Sequence, residues 1–461
     1  MKLSMFLGDK KFYRYVIGIA LPIMLQNAIN TFVNLLDNIM IGNVGAAQLS
    51  AVAISNQLIF VFNLCVFGIV SGAGIFTAQF YGKGDLNGIR NTMRLKLIMS
   101  AVITAVFVSV ILLFDKEIIS IWLNDTENPE KVALTLSEAH NYIRIALIGL
   151  IPAFITQCYA DTLRSSGDTR VPMKASVIAL IINLVFNYLL IFGHFGYKGL
   201  GVIGAAIATS LSRFGELAYI VIWTHRHKKE HPFVEGLYKT FRVPLSLFKN
   251  VIKKGLPLML NESLWGLGIT ALNSCYSMRG LEAVEATSIS STIVNVFNVA
   301  MLATGSTVGI VIGRILGSGD MKKARDYDNK LIAFSVAVST VAGIFLFFSS
   351  SIATLPYNVS DETARIATEL MRVSAILMPI HGFVHASYFT LRSGGKTLST
   401  FLFDSGFVWA VAVPLGFVIG KFTNVPIVAF TFICQAIDII KCIVGFILVK
   451  GGSWLNNIVS K

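Results

Sequence analysis

Leu21-Pro22-Ile23-Met24-Leu25 opens, and Phe80-Tyr81-Gly82-Lys83-Gly84-Asp85 closes, a stretch that the chain states twice. Moved by 235 residues without a gap, residues 21–85 fall on residues 256–320, which open Leu256-Pro257-Leu258-Met259-Leu260 and close Ile315-Leu316-Gly317-Ser318-Gly319-Asp320. Eighteen of the 65 positions are identical, among them Asn38/Asn273, Gly45/Gly280, Phe62-Asn63/Phe297-Asn298 and Gly74-Ile75/Gly309-Ile310. An ungapped match of this length is a duplication of structure, and duplicated halves in an apolar chain are a pattern of membrane transporters.

The solvent follows from composition. Of 461 residues, 54% are hydrophobic and only 14% charged, with a mean hydropathy of +0.70, so a water-soluble domain would have too little polar surface to cover itself. Apolar segments long enough to cross a ~30 Å hydrocarbon layer as helices recur twelve times: 15–41, 50–79, 94–114, 139–161, 173–193, 201–223, 254–277, 285–312, 330–354, 367–390, 398–420 and 425–449. The first is too long for a signal-peptide core and contains Asp37, so it is expected to remain as span one.

A net charge of +13 raises the question of nucleic acid, and its placement answers it. With both termini inside, the inner segments hold 29 of the 38 Lys and Arg, the positive-inside bias of a multi-span protein. A nucleic-acid surface would gather its charge on one domain, and none is expected here. The five cysteines stand singly in apolar spans, without the paired spacing of zinc sites or disulfide frameworks.

Span one carries Asn27, Asn30, Asn34, Asp37 and Asn38 at steps of 3, 4, 3 and 1, one face of a helix. A polar stripe at membrane depth faces a cavity or another helix. The Gly82-Lys83-Gly84-Asp85 turn lacks the preceding strand and the Gly-Lys-Ser/Thr of a phosphate cradle and reads as a helix C-cap and tight loop. Acidic outer connections repeat, Asn124–Glu130 and Asn358–Thr363. Inner turns repeat too, Leu163-Arg164-Ser165 matching Leu391-Arg392-Ser393 at an offset of 228. Two halves of six spans starting on the same side make a parallel repeat. The expected fold is therefore an all-α membrane protein of twelve transmembrane helices in two six-helix lobes, residues 1–223 and 255–461, related by a pseudo-two-fold axis along the membrane normal. Residues 224–254 form a basic cytoplasmic linker whose three histidines read as part of a solvated loop rather than a metal site.

An ionised group at the bilayer centre costs roughly 2.5–3.5 kcal/mol on insertion scales, so each acid within a span needs a reason. Asp161 with Arg164, Glu216 with Arg213 and Asp438 with Lys441 have a cation at i,i+3. Asp37, Glu262 and Asp404 have none nearby in sequence. Under the 235 offset Asp37 aligns with Leu272 and Glu262 with Asn27, so these acids break the repeat where packing residues keep it. His381 and His385, four apart, have helical spacing for a proton relay; with no third ligand at hand, a metal site is not expected.

The residues Leu21-Pro22, Asp37 and Gly45, the Gly84-Asp85 turn, Leu163-Arg164-Ser165-x-Gly167-Asp168-Thr169, Asn183-x-x-x-Asn187, Gly204-Ala205-Ala206-x-Ala208-Thr209, and Leu256-Pro257 with Glu262 together resemble the multidrug and toxic compound extrusion (MATE) family, over essentially the whole chain. The resemblance implies a cell-membrane exporter of organic cations and amphipathic drugs, driven by inward H⁺ or Na⁺, whose two lobes form a V around a central cavity and rock between outward-open and inward-open states. It implies a cation site in the first lobe at Asp37, Asn183 and Asn187, with Thr209, although the second residue of the Asn-x-x-x-Asp pair is here Asn187. It implies a second site at Glu262, while the span-ten acid of that branch has no counterpart and His381 and His385 stand nearby.

Chemically, an acid in an apolar cavity can hold a proton at physiological pH, and one ringed by Asn and Thr oxygens can coordinate Na⁺. Asp37 with Asn34, Asn183, Asn187 and Thr209 suits either ion. Asn30, Gln57, Trp265, Tyr276 and His385 are expected along the substrate cavity, the aromatics offering faces to a cationic drug. A monomer embedded in the lipid bilayer, without cofactor, is expected. The rival readings are a lipid-linked oligosaccharide flippase, which calls for unpaired Lys or Arg inside spans one, two, seven and eight, and an intramembrane enzyme or receptor, for which no His-Glu-x-x-His or Gly-x-Ser-x-Gly is present.

Overall fold

The computed structural model describes residues 5–123, 129–193, 198–357 and 359–460. Most of the expected acidic outer connection at 124–130, and Asn358 of its counterpart, lie outside them. The described chain is helical, without a strand: α1 (Lys10–Gly42), α2 (Ala46–Lys83), α3 (Leu86–Ser120), α4 (Pro129–Ser165), α5 (Arg170–Phe192), α6 (Val202–Arg226), α7 (Leu245–Tyr276), α8 (Leu281–Gly317), α9 (Met321–Ala353), α10 (Asp361–Ser393), α11 (Thr397–Phe401), α12 (Val413–Phe422), α13 (Ile427–Ala436) and α14 (Asp438–Lys450). Between α11 and α12 the chain winds as two wide π-helical stretches, Leu402–Gly406 and Val408–Ala412.

Ten helical runs among the described residues have the length and hydropathy of a membrane span: α1 to α6, α8, α9, α11 through α12, and α13 through α14. The other two expected spans fall within α7 and α10, of 32 and 33 residues, whose polar side chains lower their hydropathy.

By contact the chain forms two compact units. The first comprises Met1–Met24, Ala78–Gly84 and Lys253–Lys461, and the second Leu25–Thr77 and Asp85–Ile252. In the first, Phe12, Val16, Ile19 and Ile23 of α1 join the core of Val308, Val311 and Leu316 from α8 with Leu331, Ile332 and Trp454. In the second, Ile41 and Val52 pack with Tyr142, Ala146, Ile191, Val202 and Ala205.

Helices in lipid gain little from hiding apolar surface and associate through close packing, so small residues mark their contacts. The repeated glycines follow this rule. A Cβ on Gly74 would stand 2.9 Å from Asp161 Oδ2, and one on Gly309 would stand 2.9 Å from Phe389 Cδ1; the two neighbours are themselves equivalent under the 228 offset. A Cβ on Gly82 would fall on the backbone carbonyl of Arg314, and one on Gly317 on the carbonyl of Gln79. Because Gln79 and Arg314 are related by 235, the ends of α2 and α8 meet in a reciprocal contact inside the first unit.

The repeated Gly-Asp also has a local cause. Gly84 and Gly319 take φ of +77° and +83°, open to glycine without strain. Asp85 and Asp320 then cap α3 and α9, accepting from the backbone N–H of Gly88 and Lys323, each at 2.9 Å. The cap-and-turn reading holds, with the aspartate starting the next helix.

Candidate functional site

Asn183 and Asn187 lie four apart on one face of α5, and both are buried, at 3% and 1% exposure, so their amides must find partners inside the protein. Asn187 Nδ2 donates to Asp37 Oδ1 of α1 at 2.5 Å and to Asn183 Oδ1 at 3.1 Å. Asn183 Nδ2 in turn donates to Thr209 Oγ1 of α6 at 3.4 Å. The four residues carried from the family resemblance therefore form one connected set within the second unit. Asn187 Oδ1 is buried and accepts no hydrogen bond, an omission that costs roughly 1–3 kcal/mol. A carboxylate beside an unused amide oxygen and a hydroxyl is a donor set suited to a small hard cation, and the carboxyl alone suits a proton. Tyr142 of α4, which no motif singled out, is buried and adjoins Thr209. Asn30, Asn34 and Gln57 lie on exposed faces of α1 and α2 and stay outside this set.

In the first unit, Glu262 of α7 accepts from Tyr388 OH of α10 at 3.3 Å. Its neighbour Asn261 is 1% exposed and donates to Asp404 Oδ2 at 3.0 Å. Asn261 Oδ1 accepts from the backbone N–H of Ser405 at 3.2 Å and from its hydroxyl at 2.8 Å. That N–H lies in the π-wound stretch Leu402–Gly406, where the α-helical ladder is interrupted, and α7 offers it a side-chain acceptor. Gln26, at the equivalent position in the other half, likewise reaches the fifth helix of its own unit, donating to Ser176 Oγ at 2.9 Å.

Two expectations about ion pairs are corrected. Asp161 binds Lys96 of α3 at 2.6 Å, while Arg164, the cation expected at i,i+3, donates to Gln26 Oε1 at 2.7 Å. Asp404, without a cation nearby in sequence, has Lys441 of α14 at 3.3 Å, and Lys441 also holds Asp438 at 3.6 Å. The pairing of Glu216 with Arg213, at 3.0 Å, is as expected.

Of the expected cavity aromatics, Trp265 is 46% exposed, whereas Tyr276 is 7% exposed and set edge-on to Phe430 in a packed cluster. That leaves Tyr276 no free ring face. His385 stacks on Tyr388 with ring planes 13° apart, and His381 Nε2 lies 3.6 Å from Asp438 Oδ2. No three metal-ligating side chains gather among the described residues.

The linker is more ordered than a solvated loop. Phe233, Val234 and Leu237 are buried, and Arg90 and Arg94 of α3 donate to the carbonyls of Pro232, Phe233, Gly236 and Leu237. His225 meets Tyr159 OH at 3.0 Å, and His231 Nε2 meets Asp168 Oδ2 at 3.2 Å. Burial pushes the Asp168 carboxyl up, but the hydrogen bond from His231, the backbone N–H of Val171, the His231 charge and the N–H of Arg170 outweigh it, and the group lies below the ordinary carboxylate range.

With this geometry in hand, comparisons with known proteins agree with the repeat. The MatE family matches residues 22–189 and 257–418, segments that begin on the two equivalent prolines. A probable multidrug resistance protein NorM of Thermotoga maritima is 26% identical over 419 residues, covering 88% of this chain and 85% of that protein. A probable multidrug resistance protein YoeA of Bacillus subtilis is 24% identical over 412 residues, covering 88% and 86%. Among solved structures, an outward-facing multidrug resistance MATE family transporter of the MOP superfamily superposes with a TM-score of 0.86 at 20% identity, over 98% of both chains. A Vibrio cholerae MATE transporter gives 0.84 at 17%, again over 98% of both. The last two likenesses concern the fold.

Proposed function

The chain belongs to the MatE family, a family of multi-pass membrane transporters and not of enzymes, and on that premise we propose that it is a secondary active efflux transporter. It exports organic cations and amphipathic drugs by alternating access, in exchange for inward H⁺ or Na⁺. The observation that carries this reading is the Asp37 carboxylate tied to Asn187 and Asn183, with the acceptor oxygen of Asn187 left unused. A cation arriving at Asp37 would satisfy that oxygen and neutralise the carboxylate at once. Glu262 with Tyr388 is the second acidic position, serving as counter-charge for a cationic substrate or as a further proton acceptor. The basic inner segments support residence in the cell membrane with both termini cytoplasmic.

Dye efflux from vesicles under separately imposed proton and sodium gradients tests the reading. Wild type should respond to at least one gradient, and Asp37→Asn should abolish the gradient-driven part. Full gradient-driven efflux in Asp37→Asn would remove Asp37 from the coupling. Unchanged affinity for cationic substrates in Glu262→Gln would remove the counter-charge role.

A further inference from the structure

Asp328 of α9 belongs to neither polar cluster. It is 1% exposed and sits one turn after Ala324 and one turn before Leu331 and Ile332, all three in the apolar core of the first unit. Its Oδ1 lies 2.6 Å from Thr390 Oγ1 of α10, and its Oδ2 is buried without a hydrogen-bond partner. Among the described residues no cation pairs with it. Several charged or titratable groups of the neighbouring helices have partners of their own. On α9, Lys330 holds Asp326 at 2.6 Å and Lys323 lies over the Tyr327 ring. Arg314 of α8 bonds Tyr15 and lies over the Tyr81 ring. On α10, His381 faces Asp438, His385 stacks on Tyr388, and Arg392 lies over Phe389.

The hydrogens available around Asp328 fit one of its two forms. Thr390 has one hydroxyl hydrogen and two acceptors in reach, Asp328 Oδ1 and the Ala386 carbonyl at 3.1 Å. The other half shows the same arrangement with different chemistry. There Thr162, equivalent to Thr390 at offset 228, donates to the Cys158 carbonyl at 2.8 Å and receives a hydrogen from Lys96 Nζ at 3.0 Å. Met93, equivalent to Asp328 at offset 235, is the apolar neighbour, its sulfur 3.2 Å from Thr162 Oγ1. In the second half Leu331 stands where Lys96 does, so the threonine has lost its external donor just where an acid has been gained. A protonated Asp328 restores the pattern: its O–H donates to Thr390 Oγ1, and the Thr390 hydrogen goes to Ala386. An ionised Asp328 would leave two acceptors competing for one hydrogen, a second carboxylate oxygen without any, and a bare charge in an apolar core, the costly case.

We infer that Asp328 is a further proton-binding site, a carboxylic acid closed onto Thr390 in this conformation and exchanging its proton during transport. It is distinct from Asp37 and Glu262. Exchange has a short path, since Asp328 lies two turns from the Asp320 cap of α9 and Thr390 one turn from the end of α10 at Ser393. The exchange half of the inference rests on the proposed antiport; the protonation half does not.

Infrared spectroscopy of the purified protein in lipid at neutral pH tests the site directly. A protonated-carboxyl C=O band is expected that disappears in Asp328→Asn and shifts in Thr390→Val, the second variant serving if the first does not fold. Efflux under a proton gradient in Asp328→Asn should then lose part of its pH dependence. Spectra identical to wild type in both variants would overturn the site, and an unchanged pH profile in a folded Asp328→Asn would overturn the exchange. Because the spectra need no transport, a wild type that fails to respond to any gradient would count against the antiport reading while leaving protonation to be decided by the band.

Discussion

Asp161→Asn strands an ammonium with nowhere to go. Lys96 is fully buried, its Nζ held by Asp161 Oδ2 at 2.6 Å and Thr162 Oγ1 at 3.0 Å. Removing one partner of such a pair costs about 3–5 kcal/mol. The amide oxygen of the variant still accepts a hydrogen bond, which places Asp161→Asn near the lower end, about 3 kcal/mol. The reverse change should be milder, because the Asp161 side chain is 23% exposed and Arg164 acts on it electrostatically. Lys96→Met is accordingly expected to cost about 1–2 kcal/mol, as for a half-screened ion. The double variant removes both charges and should cost less than the sum by about 2 kcal/mol, well outside the ~0.5 kcal/mol scatter of independent sites. Reversible denaturant unfolding in mixed micelles measures all three. Additive costs, or a Lys96→Met costlier than Asp161→Asn, would refute the assignment of the buried charge to Lys96.

Asn261→Leu should destabilise by about 2–3 kcal/mol, because it leaves the Ser405 N–H without its acceptor in a buried π turn and removes the amide donor from Asp404 Oδ2, while the Ser405 hydroxyl keeps the residue-261 carbonyl; thermal unfolding of the detergent-solubilised protein measures it. Asp168→Asn should cost about 1 kcal/mol at neutral pH. The folded carboxyl lies below its unfolded value of about 3.9, so its contribution is present above that value and lost as pH falls through the lowered one; melting curves of variant and wild type should converge in strong acid. Gly82→Ala, with a Cβ directed at the Arg314 carbonyl, should cost at least as much as overpacking a core, about 1–3 kcal/mol, whereas Gly18→Ala, with open space around it, should be neutral or slightly stabilising by helix propensity.

Much of this architecture was legible in the letters because lipid imposes long helices and duplication imposes a register. The repeated glycines, the Gly-Asp caps and the Asp37–Asn187 set were all readable from spacing or family resemblance. Pairing was harder. Arg164 stood three residues from Asp161 and was the natural partner, but its guanidinium is taken by Gln26, 138 residues away, and no local pattern encodes that competition. Asp404 drew its cation from another helix for the same reason. Asp328 escaped notice because it follows Asp326 and precedes Lys330 in a charged run that resembles a solvated helix start; only the packing of α9 on α10 buries it. Tyr142 and Tyr388 stand in no motif, and only their neighbours, Thr209 and Glu262, mark them.

The crossing of Gly82 on Arg314 and Gly317 on Gln79 has a consequence for descent. A contact in which one surface meets its own copy is what a two-fold homodimer makes, so the join between α2 and α8 retains the form of an interface between identical ancestors. In a homodimer every substitution is felt twice; once two copies share one chain, each position can change alone. Gln79 now grips the carbonyls of Ser393 and Asn456 while Arg314 lies over Tyr81. The glycines stayed because both sides still need the space, and the residues beside them were free to acquire separate work.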